Sequence, residues 1–126
     1  MRECILTLDE LKELCAKWQE ILRLQDWNIE IRISRARDFE AENACGECSW
    51  VLPRKEALIR ILDPLDYSPN HVFPQDMERT LVHELLHLHF AEISEKAEAA
   101  GVNIDTSLEQ ALHCIDGALA NLRRGE

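Results

Sequence analysis

Residues 80–90, TLVHELLHLHF, place the strongest constraint on the fold of this chain. Drawn as a helix, the segment puts His83 and His87 one turn apart on the same face. Its leucines and its valine fall on the other faces, where they can be buried. The spacing therefore predicts a helix that packs into a core and presents two imidazoles together on its polar face.

The apolar pattern also predicts elements before this helix. Leucines and a tryptophan recur at helical spacing over residues 7–25, where Thr7 and Glu10 form a candidate capping box. Strict alternation of isoleucine with polar residues predicts a strand over 27–34, and a second strand is predicted over 57–62.

Three more elements complete the prediction. The segment CSWVL, residues 48–52, favours a short additional strand. The histidine-bearing helix is expected to begin near Gln75 or Asp76 and to run to about Ala97, and a last helix is expected over 106–122. This order predicts an α+β fold, in which a small twisted sheet packs against an N-terminal helix, the histidine-bearing helix and a C-terminal helix.

Composition limits the domain count and the partners. With 126 residues and 46% hydrophobic content, the chain can build one core, so residues 1–126 are expected to form a single, monomeric domain. The formal net charge of −10 argues against direct binding to nucleic acid or to an anionic membrane. No apolar run reaches the ~18 residues of a membrane span, and the first residues lack the apolar region of a signal peptide. We therefore expect a cytoplasmic protein.

The five cysteines form an odd set without a disulfide spacing, which predicts reduced thiols. Cys45 and Cys48 make a single Cys-x-x-Cys. A structural zinc site would need a second pair of ligands, and none lies near this one in sequence. We interpret the two cysteines as turn residues without a metal.

Residues 83–87 read HELLH, the H-E-x-x-H pattern. Two imidazoles at i and i+4 can bind one Zn²⁺ at about 2.0–2.1 Å, and Glu84 can act as general base towards a water molecule on the metal. Burying two unpaired imidazoles would cost about 1–3 kcal/mol each, whereas one metal ion satisfies both. The motif therefore predicts one Zn²⁺ per chain, bound by His83 and His87.

The motif, the short chain and the order of elements resemble the zincin metallopeptidases, and among them the small gluzincin-like members encoded in bacteria, archaea and phages. The resemblance covers nearly the whole chain. It implies a zinc-dependent hydrolase of peptide bonds, with His83 and His87 as ligands, Glu84 as base and a glutamate ligand, here Glu109, on the following helix. It also implies that a peptide or protein substrate binds as an added strand on an edge strand, a role that would fall to residues 57–62.

Three interpretations of the third ligand position remain open. Glu109 matches the gluzincin pattern best, but with Thr106 three residues before it, it also fits a capping box at the start of the last helix. His113 as ligand would instead resemble the SprT-like group of zincins, and the third possibility is a water molecule or another group at this position. In either case Asp116 could orient a ligand imidazole from the next turn.

Other residues near the motif are given smaller roles. Phe90 and Ile93 stand where a metzincin would carry glycine and histidine, which excludes that class. His89 points about 200° around the helix from the second motif histidine and is not expected to share its metal. Tyr67 and His71, in the preceding loop, are candidates for stabilising an oxyanion, although ordinary loop roles explain them as well.

Three functions agree with these features. The first is a zinc peptidase, active or latent, and the second is a regulator that cleaves one particular protein. The third is a non-catalytic module in which zinc, or the histidines alone, stabilise a partner-binding fold. Glu84 favours the first two, because a structural zinc site does not need it and fills its fourth position with protein. The net charge of −10 disfavours an SprT-like protease that acts at DNA.

Overall fold

The computed structural model describes residues 2–126, which contain four α-helices and three β-strands. The helices are α1 (Leu8–Leu22), α2 (Met77–His89), α3 (Ala91–Ala99) and α4 (Asp105–Arg124). The strands are β1 (Asn28–Ser34), β2 (Gly46–Val51) and β3 (Glu56–Leu62). The predicted α+β class, the two main strands and the short additional strand are confirmed.

The three strands form one mixed sheet in the order β1-β3-β2. β1 runs parallel to β3, and β2 runs antiparallel to it, so that Ile31 and Cys48 flank Ile59 on its two sides. β3 is therefore the central strand, and its backbone groups are already paired with both neighbours. The prediction that residues 57–62 form an edge strand able to add a substrate strand is wrong. β2 is the edge strand that packs against α2.

Alternation along the strands directs one face of the sheet towards the helices. Ile31 of β1 and Ile59 and Ile61 of β3 are buried, whereas Glu30 and Arg32 of β1 are exposed on the opposite face. The buried face meets α2, which also packs against α1 and α4. α2 thus lies at the centre of the hydrophobic core.

The N-terminal helix begins as predicted. The side chain of Thr7 accepts a hydrogen bond from the Glu10 amide, and the Thr7 amide donates to the Glu10 carboxylate, which forms the capping box. The helix ends at Leu22 and not at residue 25, because Arg23 adopts a left-handed conformation with φ of 61°.

The histidine-bearing helix is shorter than predicted. α2 begins after Asp76, as expected, but ends at His89, and Phe90, with φ −110° and ψ 10°, separates it from α3. The expectation of one helix reaching about Ala97 is therefore wrong. The segment contains no glycine or proline, so tertiary contacts produce the break. The Phe90 side chain packs against the core, and Trp50 of β2 donates a hydrogen bond to Glu95 of α3.

Among residues 2–126, no helix combines the length and the apolar character needed to cross a membrane. The exposed hydrophobic side chains are dispersed over several elements. The largest exposures belong to Val72, Leu65 and Leu122. Two of these lie in the irregular segment between β3 and α2, which forms one wall of the site described next.

Candidate metal centre

α2 brings the two motif histidines together as the sequence predicts. Leu81, Leu85 and the other apolar residues of this stretch are buried, which fixes the rotation of the helix about its axis. His83 and His87 therefore project from the same face, and their ring centroids are 5.2 Å apart. Both side chains are largely covered, with 14% and 17% of their surface exposed.

Glu109 of α4 completes this cluster. One carboxylate oxygen lies 2.9 Å from Nε2 of His83, and the other lies 2.8 Å from Nε2 of His87. The competing prediction, a Thr106–Glu109 capping box, is wrong. α4 already begins at Asp105, after Ile104, so Thr106 lies inside the helix and has no N-cap position to occupy.

Ligand atoms of His83, His87 and Glu109 all lie within 4.8 Å of one another. His113, the other candidate for third ligand, belongs to a different group, formed with His83 and Asp116. Its Nδ1 lies 3.9 Å from the Asp116 carboxylate, on the side of the His83 ring that faces away from Glu109. The structure therefore brings together the triad predicted with Glu109 and leaves His113 outside it.

Asp116 contacts His83 on the side of the ring opposite Nε2. The Nδ1 of His83 donates to the Asp116 carboxylate at 2.7 Å, which directs Nε2 towards His87 and Glu109. Asp116 is 2% exposed, and its second oxygen accepts a hydrogen bond from the Arg79 guanidinium. The predicted orienting role of Asp116 agrees with this contact.

Arg79 is a site residue that the sequence reasoning missed. It stands four residues before His83, so the i,i+4 spacing on α2 could have indicated it. Besides contacting Asp116, it donates to the His113 carbonyl at 3.0 Å. Gly117 of α4 leaves room for the Arg79 guanidinium, because a Cβ on this residue would lie 2.8 Å from it. A small residue on α4 thus allows the guanidinium to reach the buried carboxylate.

Hydrogen bonding explains the charge state of His83. Burial alone would lower its pKa, but the hydrogen bond to Asp116 and the charges of Glu84 and Glu109 outweigh burial and raise the pKa to about 9. Both ring nitrogens then carry protons, which is why His83 can donate to Asp116 and to Glu109 at once. Burial lowers the pKa of His87, so this ring favours the neutral form that a metal requires.

Glu84 lies beside this cluster in an unusual environment. It is only 6% exposed, and its carboxylate makes no hydrogen bond within residues 2–126. Burial, assisted by the charge of Glu109, raises its pKa to about 8. A carboxylate that could find no partner from the protein is an expected feature of a group that works on a substrate or a water molecule.

Gly46 of β2 allows the edge strand to approach Glu84 closely. A Cβ at this position would lie 2.5 Å from a Thr80 methyl carbon and 2.8 Å from a Glu84 carboxylate oxygen. Only glycine leaves the room that this contact needs. The interpretation of Cys45 and Cys48 as turn residues is wrong for Cys48, which lies within β2, the strand Gly46–Val51 that borders the site.

Two cavities open on either side of the cluster. One, of about 620 Å³, lies between β2 and the connection from α3 to α4, and the other, of about 750 Å³, lies against the segment between β3 and α2. Glu84, His87 and Glu109 line both. The cluster is therefore open to ligands from two directions.

The remaining candidates have structural partners. The Tyr67 hydroxyl donates to the Phe73 carbonyl at 2.6 Å, and its ring stacks on His71 with centroids 4.4 Å apart, so both support the loop that lines the larger cavity. A ring nitrogen of His89 bonds the carbonyl of Leu22 at the end of α1, in agreement with its exclusion from the cluster. No thiol from residues 2–126 joins either group of metal-compatible side chains.

The donor set suits zinc. Two imidazole nitrogens and one carboxylate are ligands that Zn²⁺ accepts, and three protein ligands are the number found in catalytic sites. The contact from His83 to Asp116 matches the carboxylate that commonly fixes a zinc-bound imidazole. In comparisons with known proteins, no family model, no curated protein and no solved structure matches the chain.

Proposed function

We propose that this protein is a zinc-dependent metallopeptidase of the zincin type, with His83, His87 and Glu109 as metal ligands and Glu84 as general base. The observation that carries the proposal is the position of Glu84. Its buried carboxylate has no hydrogen-bond partner within the described chain and borders a three-ligand cluster that opens into two cavities. A structural zinc site has no use for such a group and offers no open position.

Each residue has a distinct task in this proposal. His83 would give up its Nε2 proton when zinc binds, so that His83 and His87 both supply neutral nitrogen donors, and Glu109 supplies one negative charge. Asp116 accepts the Nδ1 proton of His83 and keeps its Nε2 directed at the centre. When bound, zinc would polarise the substrate carbonyl and lower the pKa of a water molecule.

Glu84 transfers a proton in the proposed reaction. It accepts a proton from the attacking water molecule at its carboxylate and then gives that proton to the nitrogen of the leaving amine, so that the water adds across the peptide bond. A general base works best when its pKa lies near the operating pH. In the metal-free protein, burial raises the pKa of Glu84 to about 8.

The substrate backbone would bind along β2. This strand pairs with β3 on one side only, and Cys48 and Trp50 line the smaller cavity. An extended peptide added to the free edge would gain backbone hydrogen bonds and pass next to Glu84, which Gly46 keeps in contact with the strand. β2 thus takes the role that the sequence had suggested for residues 57–62.

The alternatives have less support. An SprT-like site with His113 as third ligand would require this side chain, which is 69% exposed, to move from the Asp116 side of His83 to the Glu109 side. A non-catalytic module would leave Glu84 buried without a partner for no gain.

The first test is metal content. The wild-type protein should retain about one Zn²⁺ per chain by elemental analysis after dialysis, and the His83→Ala, His87→Ala double variant should retain almost none. His89→Ala is the control, because this histidine bonds the Leu22 carbonyl and should leave zinc content unchanged. Full stoichiometry in the double variant would reject the site and direct attention to the cysteines.

The second test is hydrolysis of a peptide library by the zinc-loaded protein. Glu84→Gln should keep zinc and fold while hydrolysis falls by about 10²-fold or more, the usual scale for loss of a general base. Equal turnover in the two proteins would reject the catalytic role of Glu84. Glu109→Gln should weaken zinc binding at fixed pH, because the amide lacks the charge that zinc prefers.

A further inference from the structure

The smaller cavity is bordered by carboxylates. We call it the acidic groove, and its acidic residues are Glu47, Glu84, Glu95, Glu98, Asp105 and Glu109. Within residues 2–126, no lysine or arginine lines it. The groove extends from the metal-compatible cluster along the free edge of β2 towards α3 and the start of α4. Its negative charge is therefore concentrated beside the path of an added peptide strand.

The larger cavity has a different balance of charge. Arg2 and Arg79 line it, and its buried carboxylate, Asp116, is paired with Arg79. Another of its carboxylates, Asp76, is paired with Arg124. Among residues 2–126, the two sides of the centre therefore differ: two carboxylates of the larger cavity are paired with arginine, whereas no arginine or lysine lines the acidic groove.

Three carboxylates of the groove, Glu95, Glu98 and Asp105, have oxygens available to a ligand. Among residues 2–126, Glu98 and Asp105 have neither an ion pair nor a hydrogen bond at their carboxylates. Glu95 accepts one hydrogen bond, from the Trp50 indole, which leaves its second oxygen open. Such carboxylates attract cations over roughly 8–10 Å at physiological salt.

Two observations other than charge indicate that the groove receives a ligand. Glu84, more than nine-tenths buried and without a hydrogen-bond partner in the described chain, faces into it. Trp50 of the edge strand β2 also lines it, and an indole next to carboxylates is a favourable surface for an ammonium or guanidinium group.

We propose that the acidic groove binds a cationic segment of the substrate, so that the centre cleaves peptides that carry lysine or arginine on the groove side of the scissile bond. This inference rests on the proposed peptidase function, whose site it extends. The substrate backbone pairs with β2 while its basic side chains contact Glu95 and Glu98 on α3. The net charge of −10 would assist the approach of such a substrate and repel acidic ones.

Binding is tested apart from cleavage. Zinc-loaded Glu84→Gln is titrated with three fluorescein-labelled peptides of one common sequence, in which the same positions carry lysine, alanine or glutamate, and fluorescence anisotropy is recorded. We expect the lysine peptide to bind about tenfold more tightly than the glutamate peptide, and raising the salt concentration should reduce this ratio. Equal affinities for the three peptides would overturn the inference.

A charge-neutralised variant locates the effect. Glu95→Gln, Glu98→Gln keeps helix-forming residues on α3 and an acceptor for the Trp50 indole, while it removes two charges from the groove. It should lose at least about threefold in affinity for the lysine peptide, by the usual scale of exposed charges. The matched control is Glu13→Gln, Glu20→Gln, which removes two exposed charges from α1. An equal loss of affinity in the control would show that the effect comes from net charge, and it would refute the acidic groove as the binding site.

Cleavage separates this inference from the function on which it rests. Hydrolysis of lysine, alanine and glutamate peptides at equal rates by the wild-type protein would support the peptidase and refute the groove. Tight binding of the lysine peptide without hydrolysis of any peptide would support the groove and refute the peptidase. Faster cleavage of the lysine peptide, with the preference reduced in the α3 variant alone, would support both.

Discussion

The Asp116→Asn substitution tests whether Asp116 orients His83, because it changes the orienting residue and leaves the proposed ligand itself unchanged. Asparagine has nearly the same shape as aspartate and can still accept the Nδ1 proton of His83 through its amide oxygen. It cannot supply the negative charge that strengthens this hydrogen bond and makes Nε2 a better donor to a metal. None of the three proposed ligands is altered, so any change in zinc affinity must act through His83.

The magnitude follows from the contacts of Asp116. Removal of such a carboxylate behind a zinc ligand typically weakens metal affinity 10–100-fold, which corresponds to about 1.4–2.8 kcal/mol. The fold should suffer less. Arg79 loses its carboxylate partner, but it keeps the His113 carbonyl at 3.0 Å and is 19% exposed, so we expect a loss of about 1–2 kcal/mol in the free energy of unfolding.

The assay is competition for zinc against a chelator at fixed pH, combined with urea unfolding of the metal-free proteins. Asp66→Asn is the matched control, because Asp66 also forms an ion pair, with Arg35 at 2.8 Å, but touches none of the proposed ligands. It should cost little stability and leave zinc affinity unchanged. A folded Asp116→Asn protein with wild-type zinc affinity would refute the orienting role of Asp116.

Three further predictions concern the surroundings of the centre. Gly46→Ala should lower the free energy of unfolding by about 1–3 kcal/mol in urea titrations, because its methyl group would overlap a Glu84 oxygen and a Thr80 methyl carbon; unchanged stability would refute the close packing of β2 on α2. Metal-free protein should lose stability, followed as the melting temperature, as pH rises from about 6.5 to 9, since the pKa values of Glu84 (about 8) and His83 (about 9) both exceed the ordinary ones and these groups hold more protons in the folded state; below this window the lowered pKa of His87 opposes the effect, and a smaller slope is expected in Glu84→Gln. Glu78→Gln alters the buried carboxylate that the Arg123 guanidinium contacts, and it should destabilise the protein by about 1–3 kcal/mol without affecting zinc affinity. A joint loss of zinc affinity would refute the independence of Glu78 from the metal centre.

Local patterns predicted the elements because they depend on nearby residues. Alternating isoleucines identified β1, and Thr7 with Glu10 identified the start of α1. The break at Phe90 could not be found in this way, since no glycine or proline marks it and the contact between Trp50 and Glu95 joins residues 45 positions apart. The order of the strands could not be predicted either, because no local pattern indicates that β3 lies between β1 and β2.

The same distinction applies to the site. His83 and His87 lie on one helix, so their spacing alone brought them together. Glu109 comes from α4, and the choice between ligand and cap depended on where that helix begins. Thr106 looked like an N-cap residue, but α4 starts one residue earlier at Asp105, which leaves the Glu109 side chain directed at the two imidazoles. Only the packing of α4 on α2 decides this point.

α2 contains two buried glutamates that differ in their hydrogen-bond partners. Glu78 is 1% exposed, and it accepts hydrogen bonds from the Trp18 indole at 2.8 Å and from the Arg123 guanidinium. Glu84 is 6% exposed and accepts none within the described chain. A buried carboxylate costs stability unless donors satisfy it. Protein donors satisfy Glu78, whereas Glu84 lines the two cavities instead. Of the two glutamates, Glu84 alone adjoins Gly46 and the two cavities, so under the proposed function its carboxylate is the one that a water molecule and a peptide could reach.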